Sequence, residues 1–253
     1  MTRDPDKLPP DRLVQAVTMK WFAVIFGASL AYSIVRYHLV GDTPWTHFPL
    51  FILNKATSLA AVGFVASSYL IGKIFRWHDH NKHLRLVVIK FCGLVGFFLA
   101  GIHASLSLCL LRPAYFAKFF VEDGRLNFTA ELSMTAGVIG LFLLMSPAIT
   151  TLPMMPKAVG GWRWKRGQRL GYLALAFVVI HLVAMGYKGW MTPSKWPGGL
   201  PPISMVAVIV ALLPLIVRRK LERQKQARLK ERETEADSSP AETGEEGETL
   251  EQR

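Results

Sequence analysis

Cysteine is nearly absent: the 253 residues contain two, Cys92 and Cys109. Both fall in one apolar run, 17 residues apart. That is roughly 25 Å along a helix, too far for a disulfide. Neither belongs to a metal-binding motif, and both read as small buried hydrophobes. Acidic residues are missing altogether from Leu132 to Leu221. Ten of the 18 crowd between Glu222 and Glu251, so the middle of the chain carries basic charge alone. No GxGxxG segment is present, which removes that fingerprint of dinucleotide binding. Charge of either sign is scarce inside the long apolar runs, and this excludes an ordinary soluble domain even though the length would suit one.

The apolar runs themselves recur at near-regular intervals. About 20 apolar residues span the hydrocarbon core of a bilayer. Runs of that kind lie near Phe22–Val40, Leu50–Gly72, Val87–Leu111, Ala130–Thr151, Leu170–Trp190 and Ile203–Val217. The chain is therefore expected to be all-α: a six-transmembrane helical bundle. The first run is longer than the core of a signal peptide and is read as a retained helix. Lys and Arg alternate between loops. They are rich in the N-terminal tail (Arg3, Lys7, Arg12, Lys20), in the second loop (Lys73, Arg76, Lys82, Arg85), in the fourth (Lys157, Arg163, Lys165, Arg166, Arg169) and after the last run (Arg218, Arg219, Lys220). The intervening loops are poorer. This bias places both termini in the cytoplasm, as in a multi-pass protein of a cell inner membrane. It also accounts for the net charge of +12 without a nucleic-acid partner, because no single element gathers the basic residues.

Three segments follow from this reading: a cytoplasmic N-terminal segment 1–19, a membrane domain 20–220, and a charged cytoplasmic tail 221–253. Within Leu221–Glu235, opposite charges recur at helical i,i+3 spacing and extend the sixth helix; from Ala236 the composition is that of a disordered chain. Prolines punctuate the loops, with Pro147 and Pro214 placed to kink helix ends. Asn127-Phe-Thr matches a glycosylation sequon, a motif short enough to arise by chance.

Seven histidines are present, but only His103 and His181 lie deep in apolar runs. A polar ring in hydrocarbon is costly unless its nitrogens are satisfied. The third and fifth spans run in the same direction, and the two rings fall at the same depth, about 12–14 Å below the outer helix ends. Small residues share their helix faces: Gly93, Gly96, Ala100 and Ser107 with His103, and Gly171, Ala174 and Val178 with His181. Three readings remain open on these residues: a haem held by two neutral imidazoles in a space left by the small residues, ordinary interhelical hydrogen bonding, or an ion or proton path.

The stretch Thr135-Ala-Gly-Val-Ile-Gly-Leu-Phe-Leu-Leu-Met-Ser-Pro-Ala-Ile-Thr-Thr, followed by Trp164-Lys-Arg-Gly-Gln-Arg-Leu-Gly-Tyr-Leu and His181, resembles the ferric reductase-like transmembrane domain superfamily. Gly93-Leu-Val-Gly-Phe-Phe-Leu-Ala-Gly-Ile-His resembles the same superfamily's first haem-binding helix. The resemblance covers roughly residues 20–217, and its nearest members are the haem-binding membrane subunits of periplasmic methionine sulfoxide reductase systems. It implies a b-type cytochrome with His103 and His181 as the axial, metal-binding ligands of one haem b. Several members hold a second, inner haem whose ligands lie about 13 or 14 residues before the outer pair. Counting back 13 from His181 reaches Gln168, and counting back from His103 reaches Ile89 and Lys90, so the inner pair is missing.

A single outer haem needs another carrier on the inner side. The resemblance implies a flavin, FMN or FAD, as in single-haem metalloreductases, with a quinol donor as the other possibility. Arg163, Lys165, Arg166 and Arg169, with Arg76 as a further member, are candidates for its phosphate, Trp162 and Trp164 for its ring, and Gln168 lies among them; Lys, Arg and Trp at this level also serve as plain interfacial anchors. Nicotinamide oxidation is expected on a partner, a cytoplasmic flavoprotein. At the outer end, Arg36, His38, His47 and Lys55, or alternatively Tyr187 and Lys188, are candidates for the haem propionates, although Lys55 can also snorkel outward. His78, His80 and His83 form an H-x-H-x-x-H loop that reads either as a metal site or as a wet polar turn. The expected function is electron transfer through the membrane to a periplasmic acceptor: a soluble redox partner, ferric iron or oxygen. The competing function is a transporter or assembly protein that uses the intramembrane histidines for protons or helix contacts.

Overall fold

The computed structural model describes residues 10–74, 82–151 and 161–238. Its long elements are helices, and strand pairing among the described residues is confined to an isolated bridge between Phe120 and Leu126. Helix α1 is Pro10–Ile34 and continues into a π-helical turn, Val35–Leu39. A second π-helical turn, Phe48–Ile52, leads into α2, Leu53–Ile74. Then come α3 (Lys82–Leu110), α4 (Phe128–Thr150), α5 (Gly161–Trp190) and α6 (Ile203–Ser238). Six stretches are long and apolar enough to cross a membrane: Asp11–Leu39, Trp45–Gly72, His83–Leu110, Phe128–Thr150, Arg166–Trp190 and Pro197–Glu231. The chain is a multi-pass, all-α membrane protein.

The helices outrun the apolar runs. α1 begins at Pro10 where hydropathy alone starts near Phe22, and α5 begins at Gly161 where hydropathy starts near Leu170. Hydropathy marks what enters hydrocarbon, while backbone hydrogen bonding carries a helix on through charged residues of good helix propensity. Two compact units are distinguished, Met1–Leu215 and Ile216–Arg253. In the second, residues 216–238 are helical, supported by an Arg218–Glu222 ion pair at 2.8 Å and i,i+4 spacing. Helix α6 is drawn as far as Ser238, and the tail beyond its charged stretch keeps the disordered character read from its composition. Residues 239–253 lie outside the described residues, as do His78 and His80; His83, in the first turn of α3, is exposed.

Within the first unit α2 is central: 56% of its apolar window is buried, against 11% for α1. Its small residues make this possible. Ala60, Ala61 and Phe64 pack with Val88, Cys92 and Leu99 of α3, while Leu59, Val62 and Val65 join Leu144 of α4, Ala174 and Leu182 of α5, and Ala207 of α6. The most extensive pairings are α2 with α3 and α4 with α5, whereas α3 meets α4 sparsely. Large apolar side chains such as Phe98, Ile102 and Phe142 are exposed on the outside, as expected where the surrounding solvent is lipid.

The glycine stripes serve this packing. A Cβ on Gly96 would come within 2.7 Å of Val65 Cγ2 and 2.9 Å of the Val65 backbone nitrogen. One on Gly171 would strike the Tyr69 hydroxyl, and Gly93 faces Ser68 at 3.8 Å. The expectation that these residues clear room for a porphyrin is thus corrected: they let α3 and α5 approach α2. Gly96→Val is expected to cost about 1–3 kcal/mol through overpacking against a backbone that cannot retreat. A lowered thermal midpoint in detergent checks this; an unchanged midpoint would show that α2 and α3 separate freely.

Candidate functional site

His103 lies on α3 and His181 on α5, and their rings meet with centroids 6.4 Å apart and planes 74° from parallel. The equal depth read from the sequence is realised as direct juxtaposition. Each ring is held through Nδ1. His103 donates from Nδ1 to the Asn54 side-chain oxygen at 2.6 Å, and the same oxygen accepts from the Ser107 hydroxyl at 3.2 Å. Asn54 is the second residue of α2 and is 1% exposed. His181 donates from Nδ1 to the Ser133 carbonyl at 2.7 Å, while the Ser133 hydroxyl donates back to the His181 carbonyl at 3.1 Å. Ser133, on α4, is fully buried.

The chemistry of this arrangement follows from the acceptors. Both Nδ1 atoms face carbonyl-type oxygens, so each carries its proton there, and Nε2 is left with a lone pair. Among the described residues no hydrogen bond engages either Nε2. Orientation of a ligand imidazole through its other ring nitrogen is the usual construction around a metal. Space is kept beside the second ring by Gly137, where a Cβ would sit 2.9 Å from His181 Nδ1. Ser107 was placed on the face of His103 from sequence, whereas Ser133 and Gly137 were not singled out; serine and glycine in an apolar run are too common to signal a role.

Above the histidines lies an aromatic cap. The Lys55 ammonium sits 5.1 Å over both the Phe51 and Phe116 rings. Phe116 packs in turn on Phe119, and His47 on Tyr115. His38 stacks on Trp45 at 4.2 Å and donates from Nδ1 to the Thr43 carbonyl at 2.8 Å. The segment between α3 and α4 is tied down by Lys118, whose ammonium donates to the Met185 carbonyl at 2.9 Å. Burial, reinforced by the neighbouring Lys188 charge, holds Lys118 below the ordinary lysine pKa. Asn127 caps α4, accepting from the Ala130 amide at 3.1 Å and donating from its own amide nitrogen to the Lys118 carbonyl at 2.8 Å. The nitrogen that a glycan would occupy is thus already in use. Tyr187 and Lys188 are exposed.

At the other end, Gln168 turns to α4, donating to Thr150 Oγ1 at 2.8 Å and to the Pro147 carbonyl at 3.3 Å. Its own carbonyl accepts from Tyr69 at 3.2 Å. Arg166 lies 5.6 Å over the Trp162 ring, and Arg166, Arg169 and Trp162 are all exposed. The side chains of Arg163, Trp164 and Lys165 lie outside the described residues. Gln168 is therefore apart from the exposed basic residues with which its position in the sequence groups it.

No protein-family model matches the chain. Curated proteins do. It is 27% identical over 248 residues to the mouse metalloreductase STEAP2, an alignment covering 80% of this chain and 50% of that one. The human metalloreductase STEAP2 matches at the same identity and coverage. The methionine-sulfoxide reductase heme-binding subunit MsrQ of Herminiimonas arsenicoxydans is 28% identical over 166 residues, 65% of this chain and 70% of that subunit. The chain is related to this ferric reductase-like superfamily of membrane proteins. It spans about half the length of the metalloreductases it matches. Their alignments extend over more of this chain than that of the sulfoxide reductase subunit, so the relatives do not single out the latter.

Proposed function

We propose that the chain is a b-type cytochrome that moves electrons from a cytoplasmic-side flavin or quinol donor to a periplasmic-side acceptor. The observation that carries this reading is the histidine pair. Two metal–imidazole bonds of about 2 Å, plus just over 1 Å from each nitrogen to its ring centre, would set the centroids roughly 6 Å apart. The rings stand at 6.4 Å. Among the described residues no group of three or more His, Cys, Asp or Glu side chains could cage a bare ion. Two axial imidazoles nevertheless suffice for haem, whose macrocycle brings the remaining four nitrogens. A haem bound there takes up and releases one electron. His103 and His181 bind it, while Asn54 and Ser133 fix both tautomers and both ring orientations. The aromatic cap of Phe51, Phe116 and Phe119 limits water at the outer side.

The donor is the less constrained partner. Arg166 and Arg169 are exposed at the start of α5, where a phosphate-bearing flavin or an anionic partner surface can meet them. The basic loops favour an inner-membrane topology with both termini cytoplasmic.

The test is haem content. Detergent-purified protein, expressed with ample haem, is expected to carry one b haem per chain and to give a low-spin reduced-minus-oxidised spectrum. Chain free of haem under those conditions would sink this proposal and favour the transporter or assembly alternative. Reduction of the bound haem by a flavin system but not by quinol, or the reverse, then assigns the donor.

A further inference from the structure

Among the described residues, two cations in the transmembrane region have no counter-charge. Arg36 is 6% exposed and sits in the π-helical turn Val35–Leu39. One guanidinium nitrogen donates to the Leu200 carbonyl, the guanidinium carbon lies 5.6 Å over the Tyr37 ring, and Nε is buried with no partner. Lys55, next to the asparagine that holds His103, rests its ammonium on Phe51 and Phe116. Neither cation pairs with a carboxylate among the described residues. The two are joined through aromatic rings, Arg36 lying over Tyr37, Tyr37 packing edge-on against Phe51 at 5.3 Å and Lys55 resting on Phe51, while Asn54 beside Lys55 holds His103; Lys118 adds a further positive charge near Lys55.

A charge within the span is expensive and is kept where something charged answers it. Cation–π contacts return only part of that cost and leave the net charge in place. The π-helical turn adds a residue to the helix at Arg36, a local cost that recurs at functional sites. Cations unanswered by any carboxylate among the described residues, beside a site for a cofactor that carries two carboxylates, are complementary in sign, and Arg36 and Lys55 are the two of them that lie within the spans. We infer that Arg36 and Lys55 form an anion site beside the histidine pair that takes the two carboxylates of the haem. This rests on the haem reading and goes beyond it by fixing which way round the macrocycle sits, carboxylates toward α1 and the start of α2.

The experiment compares haem with its dimethyl ester, which keeps the macrocycle and iron but removes both negative charges. Full-length protein made without haem is titrated in detergent with each ligand, as wild type, Arg36→Gln, Lys55→Met and the charge-keeping Arg36→Lys and Lys55→Arg. Wild type is expected to prefer haem over the diester, and each neutralising variant to lose roughly tenfold or more in haem affinity while barely changing for the diester. The charge-keeping variants should hold most of the preference, which separates lost charge from lost fold. Equal affinity of wild type for the two ligands, or equal losses for both in the variants, would overturn this site and leave the histidine ligation standing. A wild type that binds neither would overturn both. Preference for haem that disappears on adding inorganic phosphate, with unchanged diester binding, would further show that the same cations accept other anions and support the site.

Discussion

His103→Ala and His181→Ala are each expected to abolish stable haem binding, not merely to weaken it. The two ligands sit on helices that pack mainly on different neighbours, α3 on α2 and α5 on α4. Losing either imidazole removes one of two axial bonds and leaves the remaining ring unable to hold the cofactor against the bundle by itself. The pinned Nδ1 atoms mean that no second nitrogen can swing in: His103 is tied to Asn54 at 2.6 Å and His181 to Ser133 at 2.7 Å. Other histidines are placed elsewhere, His38 stacked on Trp45 and His47 on Tyr115. The measurement is haem per chain by pyridine haemochrome, with the visible spectrum alongside. Added imidazole should restore a low-spin spectrum in either variant if the cavity is otherwise intact. Full haem content in either variant would remove that histidine from the ligand set.

The second large effect is expected at Asn54. In Asn54→Leu the His103 Nδ1–H and the Ser107 hydroxyl both lose their acceptor. An unsatisfied buried donor costs about 1–3 kcal/mol, and loss of such an orienting group typically costs 10–100-fold in metal affinity. The reduction potential supplies a readout that simple misfolding does not imitate. An acceptor on Nδ1–H makes the imidazole a stronger donor and favours the oxidised metal. Asn54→Leu should therefore raise the potential, and Asn54→Asp, a stronger acceptor, should lower it. A redox titration in which both variants shift the same way, or neither shifts, would assign Asn54 to packing alone.

What the sequence made legible divides along physical lines. Six apolar runs are a one-dimensional property, so span number and fold class were readable, and the shared depth of His103 and His181 followed from counting residues along two parallel helices. Lys55 stood out because charged residues are rare in such a run; the role of its neighbour Asn54 emerged only once α2 was seen to face His103. Ser133 and Gly137 did not, because their roles depend on which face of α4 meets α5, and α4 is apolar almost all round. The same limitation misassigned Gly96 and Gly171: small residues on a histidine's face can make room for a cofactor or for another helix, and only the position of α2 decides between them. Gln168 looked like a member of a basic cluster until the chain's rotation turned it onto Thr150 and Pro147.

The division into two tight hairpins has a consequence for how the molecule is made. α2 with α3, and α4 with α5, are neighbours in sequence, so each pairing closes a short loop and can form as soon as its second helix leaves the insertion machinery. The joint between the hairpins is different. It brings His103, already held by Asn54 within the first hairpin, against His181 of the second, 78 positions later. Assembly of the site thus waits for α5, and a chain stalled before that helix would already hold a packed α2–α3 hairpin with one imidazole in position and no partner for it.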